Sequence, residues 1–134
     1  MWKPQRIVAG ISDNTRKSII SKLTMSRGIE VVFTNEKDRF VRLAKEKLPS
    51  IAIVDLASTE YDAFGCCQAL EDHDEVIVYC LYPDNRKDLL DEAYGAGFDT
   101  SSEYSHLAER LLETLDARYD PEHMLYKLRK WLEK

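Results

Sequence analysis

Apolar and β-branched residues cluster in four short runs, at 6–11, 30–34, 51–56 and 75–82. Runs of this length, bounded by polar and turn-forming residues, read as buried strands. Between them the apolar residues change period. Ile19, Ile20 and Leu23 form a stripe at helical spacing, and Phe40, Val41, Ala44 and Leu48 form a second that stops at Pro49, which cannot continue a helix. Gly28 is placed to cap the first. Residues 61–70 keep Phe64, Cys67 and Leu70 on one face despite Gly65, which predicts a third helix.

A turn at Pro83 and Asp84 opens a fourth helix carrying Leu89, Leu90 and Ala93, and Gly95-Ala96-Gly97 ends it. A weaker fifth strand is expected at 98–102, followed by Ser105 as N-cap of an amphipathic helix with Leu107, Ala108, Leu111, Leu112 and Leu115. Asp120 and Pro121 then start one more helix, with Met124, Leu125, Leu128, Trp131 and Leu132 on one face. Parallel strands need crossover connections, and crossovers are right-handed, so this alternation predicts an α/β, doubly wound, five-stranded parallel sheet. The expected organisation is one domain over 1–118 and a helical extension over 119–134. Such sheets carry their sites beyond the carboxyl ends of the strands.

Composition narrows the function classes. The chain of 134 residues has 19 Lys and Arg against 24 Asp and Glu, a formal charge of -5. That balance lacks the basic footprint of a nucleic-acid or anionic-membrane binder. No apolar run approaches the roughly 20 residues of a spanning helix, and no signal core opens the chain, so a cytoplasmic protein is expected. Cys66, Cys67 and Cys80 form neither an even framework nor a CxxC pair, which leaves free thiols. His73, His106 and His123 have no metal-ligand spacing. The glycines at 95 and 97 follow a helix and lack the GxGxxG form, so no cofactor cradle is expected there.

Asp55 stands apart, because it places an ionisable group at the end of the apolar run Ile51-Ala52-Ile53-Val54. By itself an aspartate there can simply accept hydrogen bonds from the following loop. Its setting adds more. Over residues 6–117 the chain resembles the receiver (CheY-like) domain of two-component response regulators. Asp55 matches the family's phospho-accepting aspartate, and Tyr61-Asp62-Ala63 stands where the family often has Met-Asp-Gly. Ala93, Ala96, Gly97 and Asp99 follow the family's run before the fifth strand. The resemblance implies a flavodoxin-like sheet of order 2-1-3-4-5 and an aspartate that takes phosphate from a histidine kinase with magnesium. It also implies a partner-binding face on the fourth helix, fifth strand and fifth helix.

The departures from that pattern are chemical. The family's acidic pair after the first strand matches Ile11 and Ser12, with Asp13 one step later. Its hydroxyl residue at the end of the fourth strand matches Leu81, and its lysine after the fifth matches Tyr104. An aspartyl phosphate carries nearly two negative charges, and this chain has lost the groups that would hold them. Asp13 and Asp55 remain as a weak magnesium pair, with Ser12, Arg86 or Lys87 as conceivable substitutes. The resulting expectation is a degenerate site, a pseudo-receiver: a protein-interaction module of signal transduction and not an enzyme. Its face is expected at 86–94, 98–102 and 105–115, carried by Arg86, Leu90, Tyr94 and Tyr104, with Tyr82 contributing. The partners expected are a histidine kinase, a downstream effector, or a second copy through that face or the C-terminal helix. Two alternatives stay open: a phospho-acceptor that uses Asp55 with an atypical magnesium site, and an α/β domain that binds a small ligand at the strand ends.

Overall fold

A computed structural model describes residues 4–25, 27–46, 50–73 and 75–116. The apolar runs become strands β1 (Arg6–Gly10), β2 (Glu30–Phe33), β3 (Ser50–Asp55), β4 (Val76–Tyr82) and β5 (Thr100–Glu103). All pair in parallel, in the order β2-β1-β3-β4-β5. The helices between them are α1 (Asn14–Thr24), α2 (Lys37–Ala44), α3 (Ala63–Leu70), α4 (Lys87–Ala93) and α5 (Leu107–Asp116). The doubly wound sheet expected from the alternation is therefore the architecture observed.

The period of two along each strand separates two cores. Val8, Ala52, Val54, Val78 and Cys80 pack against Phe40, Ala44, Cys67, Leu70 and Leu90 of α2, α3 and α4. Ile7, Ala9, Ile51, Ile53, Ile77, Tyr79 and Leu81 face the other way, against Ile20, Leu107 and Leu111 of α1 and α5. Central strands β1, β3 and β4 are buried along their whole length, which is why their runs lack alternation. Phe40 is fully buried, and removing a side chain of that size from water contributes about 1.5–3 kcal/mol.

Several expected boundaries shift for local reasons. α1 ends at Thr24 with Met25 as its cap, so Gly28, at φ 67°, shapes the turn into β2 and does not cap the helix. The third helix starts at Ala63 because Asp62 caps it, accepting from Gly65 N at 3.0 Å. Gly97, at φ 91°, donates its N–H to Ala93 O at 2.9 Å and closes α4 as expected. β5 begins two residues later than expected, at Thr100. Ser105 is not an N-cap: Tyr104–His106 form a 3-10 turn, and Ser105 N donates to Asp84 Oδ1 at 3.0 Å. Leu48, Pro49, His123 and the helix expected over 119–134 lie outside the described residues.

The three cysteines are free and fully buried, with Cys67 Sγ and Cys80 Sγ 3.5 Å apart across α3 and β4. Burial pushes the Cys66 thiol up to about 12, which leaves it a packing group without nucleophilic character. No helix among the described residues is long and apolar enough to cross a membrane.

Candidate functional site

The carboxyl ends of β1, β3 and β4 converge on Asp55, the last residue of β3, which is 9% exposed. Its Oδ1 accepts the N–H of Ala57 at 3.1 Å, turning the chain out of the strand. The same Oδ1 accepts the hydroxyl of Tyr104 at 2.6 Å, a short bond of the kind a charged acceptor makes. Tyr104 sits in the 3-10 turn directly after β5, so the backbone position that carries lysine in the receiver pattern here delivers a phenol. Arg16 of α1 lies over the Tyr104 ring, with Cζ 3.9 Å from the centroid. Burial and then the bond to Asp55 push the Tyr104 phenol well above its ordinary value, so it stays a donor.

A second phenol braces the site from the other side. Tyr61 Oη accepts the N–H of Asp55 at 2.8 Å and donates to Gly10 O at 2.9 Å, tying the ends of β1 and β3 together. Burial raises its pKa too. The approach is close enough that a Cβ on Gly10 would collide with the Tyr61 hydroxyl. In the sequence Tyr61 stood only as part of a turn, and its role was not read. The available signal was Gly10, a residue without a side chain at the end of an otherwise β-branched run.

The positions read as departures are held in the following contacts. Leu81 is the register partner of Asp55 in β4 and points to the same face, fully buried among Ile11, Ile53 and Leu107. A hydroxyl at that position would face Asp55; leucine presents only methyl groups. Ile11 is 1% exposed and belongs to the α1–α5 core. Ser12 Oγ donates to Glu60 at 2.6 Å and accepts from Asn35 Nδ2 at 2.6 Å, a network that ties the loops after β1, β2 and β3. Asp13 is the N-cap of α1: it accepts Arg16 N at 2.9 Å and pairs with Arg16 Nη1 at 3.9 Å.

The described residues form no clear magnesium site. A small divalent cation asks for near-octahedral oxygens, with one or two carboxylates anchoring it. Oδ1 of Asp55 accepts from two donors, Asp13 is held as a helix cap beside Arg16, and Ile11 brings no ligand atom. Among the described residues no group of three or more His, Cys, Asp and Glu side chains converges. Arg86 and Lys87 do not substitute for the lysine, since both are exposed and Arg86 pairs with Asp88 at 3.0 and 3.1 Å.

The expected interaction face is only partly available. Tyr94 is 69% exposed, its ring tilted against Phe98 at 5.2 Å, and Arg86 and Leu112 also reach solvent. Leu90 and Tyr82 are buried, at 8% and 7% exposure, and Tyr104 is engaged with Asp55. Helix α4 turns Leu90 inward with Leu89 and Ala93, at the spacing its own core contact requires.

Comparison with known proteins agrees with this geometry at the level of the fold. No protein-family model matches the chain, and no curated protein matches it. Solved structures do. A response regulator from Thermotoga maritima aligns at TM-score 0.64 and 19% identity, over 86% of this chain and 99% of that one. The chemotaxis response regulator CheY4 of Vibrio cholerae aligns at TM-score 0.66 and 15% identity, over 84% and 97%. The receiver domain of a sensor histidine kinase from Pseudomonas aeruginosa, solved with magnesium in its active-site cleft, aligns at TM-score 0.63 and 15% identity, over 84% and 97%. The chain has the receiver fold.

Proposed function

We propose that this chain is a receiver-like signalling module that binds protein partners without phosphoryl transfer at Asp55. The observation that carries this reading is the Tyr104 hydroxyl on Asp55 Oδ1 at 2.6 Å, a neutral donor where a phosphoryl group would need a positive charge. Leu81 and Ile11 support it, because each puts hydrocarbon where a charged product would need a hydroxyl or a metal ligand. With Asp55 closed, the remaining functional surface is the exposed part of α4 and α5, around Arg86, Tyr94 and Leu112. Tyrosine and arginine are the residue types enriched in protein interfaces. The partner class is a histidine kinase or a downstream effector in the cytoplasm, and the module performs no catalysis of its own.

The second reading, a working phospho-acceptor, draws on the position of Asp55 at the end of β3, where a carboxylate reaches the mouth of the site. An amide NMR titration separates the two. Magnesium followed by a beryllofluoride phosphate mimic is expected to leave the spectrum unchanged. Saturable shifts around Asp55 that spread to α4 and α5, and that vanish in Asp55→Asn, would overturn the proposal in favour of the phospho-acceptor.

A further inference from the structure

Charge is divided across the sheet. Residues 1–50, which include β1, α1, β2 and α2, hold 11 of the 19 Lys and Arg and five of the 24 Asp and Glu, whereas residues 51–134 hold eight and 19. Helices α2, α3 and α4 cover one face of the sheet in that order, α2 on β1 and beside α3, α3 over β3 and β4, and α4 on β4. The residues each helix gives to the core fix its outer ridge. On α2 Phe40 and Ala44 are buried, which turns Arg39 and Arg42 outward. On α4 Leu89, Leu90 and Ala93 are buried, which turns Asp88 and Asp91 outward. Between them α3 carries no charged residue. Across the outer ridges the layer therefore runs basic, neutral, acidic.

The ridges match in spacing as well as in sign. Arg39 and Arg42 stand three apart, as do Asp88 and Asp91, a separation of about 5–6 Å on each helix, and all four are exposed. Among the described residues Arg39, Arg42 and Asp91 form no ion pair, while Asp88 shares Arg86 at 3.0 Å and Glu46, at the end of the α2 ridge, is held by Arg6 at 2.6 Å. All strands are parallel, so the helices that return between them run parallel to one another. A two-fold axis along the helices, passing beside α3, therefore lays α2 of one copy on α4 of the other, in the same direction and twice over. In that register Arg39 meets Asp88, Arg42 meets Asp91, and Lys45 reaches Tyr94, whose ring is 69% exposed. Lys87 falls opposite Asp38, and the like charges at that end, Arg86 and Lys37, are each paired within their own copy, with Asp88 and Asp62. A two-fold across the helices would set α2 on α2 and α4 on α4, like charge on like, so the charges select the first arrangement. We propose that this chain self-associates through the α2–α3–α4 layer as a two-fold dimer held by arginine–aspartate pairs. The contact goes beyond the reading of Asp55 and does not depend on it.

Sedimentation velocity of the full chain over a concentration series tests this. Helices of seven and eight residues make a small interface, so a monomer–dimer equilibrium in the high-micromolar range is expected, weakened about tenfold when salt is raised to about 1 M. The double variants Arg39→Glu/Arg42→Glu and Asp88→Arg/Asp91→Arg, their folds checked by circular dichroism, are each expected to dimerise about tenfold more weakly than the native chain. Mixed in equal amounts, the two are expected to regain dimer near the native strength, because the reversed α2 then faces the reversed α4 while the other contact keeps its native pairs. A monomer at every concentration would overturn the proposal, as would a dimer that neither reversal moves or a mixture no stronger than its parts. Species that grow beyond the dimer would overturn it too, in favour of open head-to-tail association.

Discussion

Replacing Tyr104 by phenylalanine removes one atom, the hydroxyl oxygen that donates to Asp55 at 2.6 Å, and keeps the ring under Arg16. A hydrogen bond to a charged acceptor contributes about 1.5–3 kcal/mol. Tyr104 is half-buried, so water replaces part of the lost bond and the expected cost falls to about 1–2 kcal/mol. For a domain of this size that lowers Tm by roughly 3–7 °C. In an Asp55→Ala background the phenol has no carboxylate to meet, and the same Tyr104→Phe change is expected to cost nearly nothing. The cycle therefore predicts a coupling of about 1–2 kcal/mol between the two positions. Urea unfolding followed by far-ultraviolet circular dichroism measures all four proteins with a common m-value. Single costs that add to within about 0.3–0.5 kcal/mol would show the two groups to be energetically independent and would refute the bond's role.

Other expectations follow from the same geometry. Gly10→Ala is expected to cost about 1–3 kcal/mol, since its Cβ meets the Tyr61 hydroxyl, and a denaturation midpoint equal to that of the native chain would contradict the brace. The Tyr104 phenol is held above its ordinary 10.0 by burial and by Asp55, so its contribution is fully present below that value and is lost as pH rises through the higher folded value. An ultraviolet titration of the native chain against Tyr104→Phe is expected to assign the missing phenol to the late-ionising group. Asp62 and Asp84 are held below their ordinary 3.8, the first by Gly65 N–H and then Lys37, the second by Ser105. Their contribution is present above that value and lost as pH falls through the lower folded values, so chemical unfolding at a series of acid pH values is expected to show a steeper decline for the native chain than for Asp62→Asn.

The sheet was legible in the sequence because its central strands are buried on both faces and so write continuous apolar runs at 6–11, 51–56 and 75–82. β5 was blurred, since Thr100, Ser101 and Glu103 are only half-buried and Ser102 finds its hydroxyl partner in Tyr79, a contact no local pattern encodes. Asp55 was visible as a charge ending an apolar strand. The aromatic ring around it was not: Tyr61, Gly10, Arg16 and Tyr104 are separated by up to 94 positions and meet only once parallel pairing sets their strand ends side by side. Tyr104 was read as the loss of a lysine, whereas its hydroxyl makes a new bond to the carboxylate that the lysine position faces. Leu90 was placed both on the apolar stripe of α4 with Leu89 and Ala93 and in the interaction face, and the sheet covers it.

The intact mass of the full chain after incubation with magnesium and acetyl phosphate reads phosphoryl transfer at Asp55. A variant carrying Ile11→Asp, Ser12→Asp, Leu81→Thr and Tyr104→Lys serves as the reconstructed comparison. The native chain is expected to gain no phosphoryl group. A phosphoryl adduct on the native chain that is absent from Asp55→Asn would contradict it.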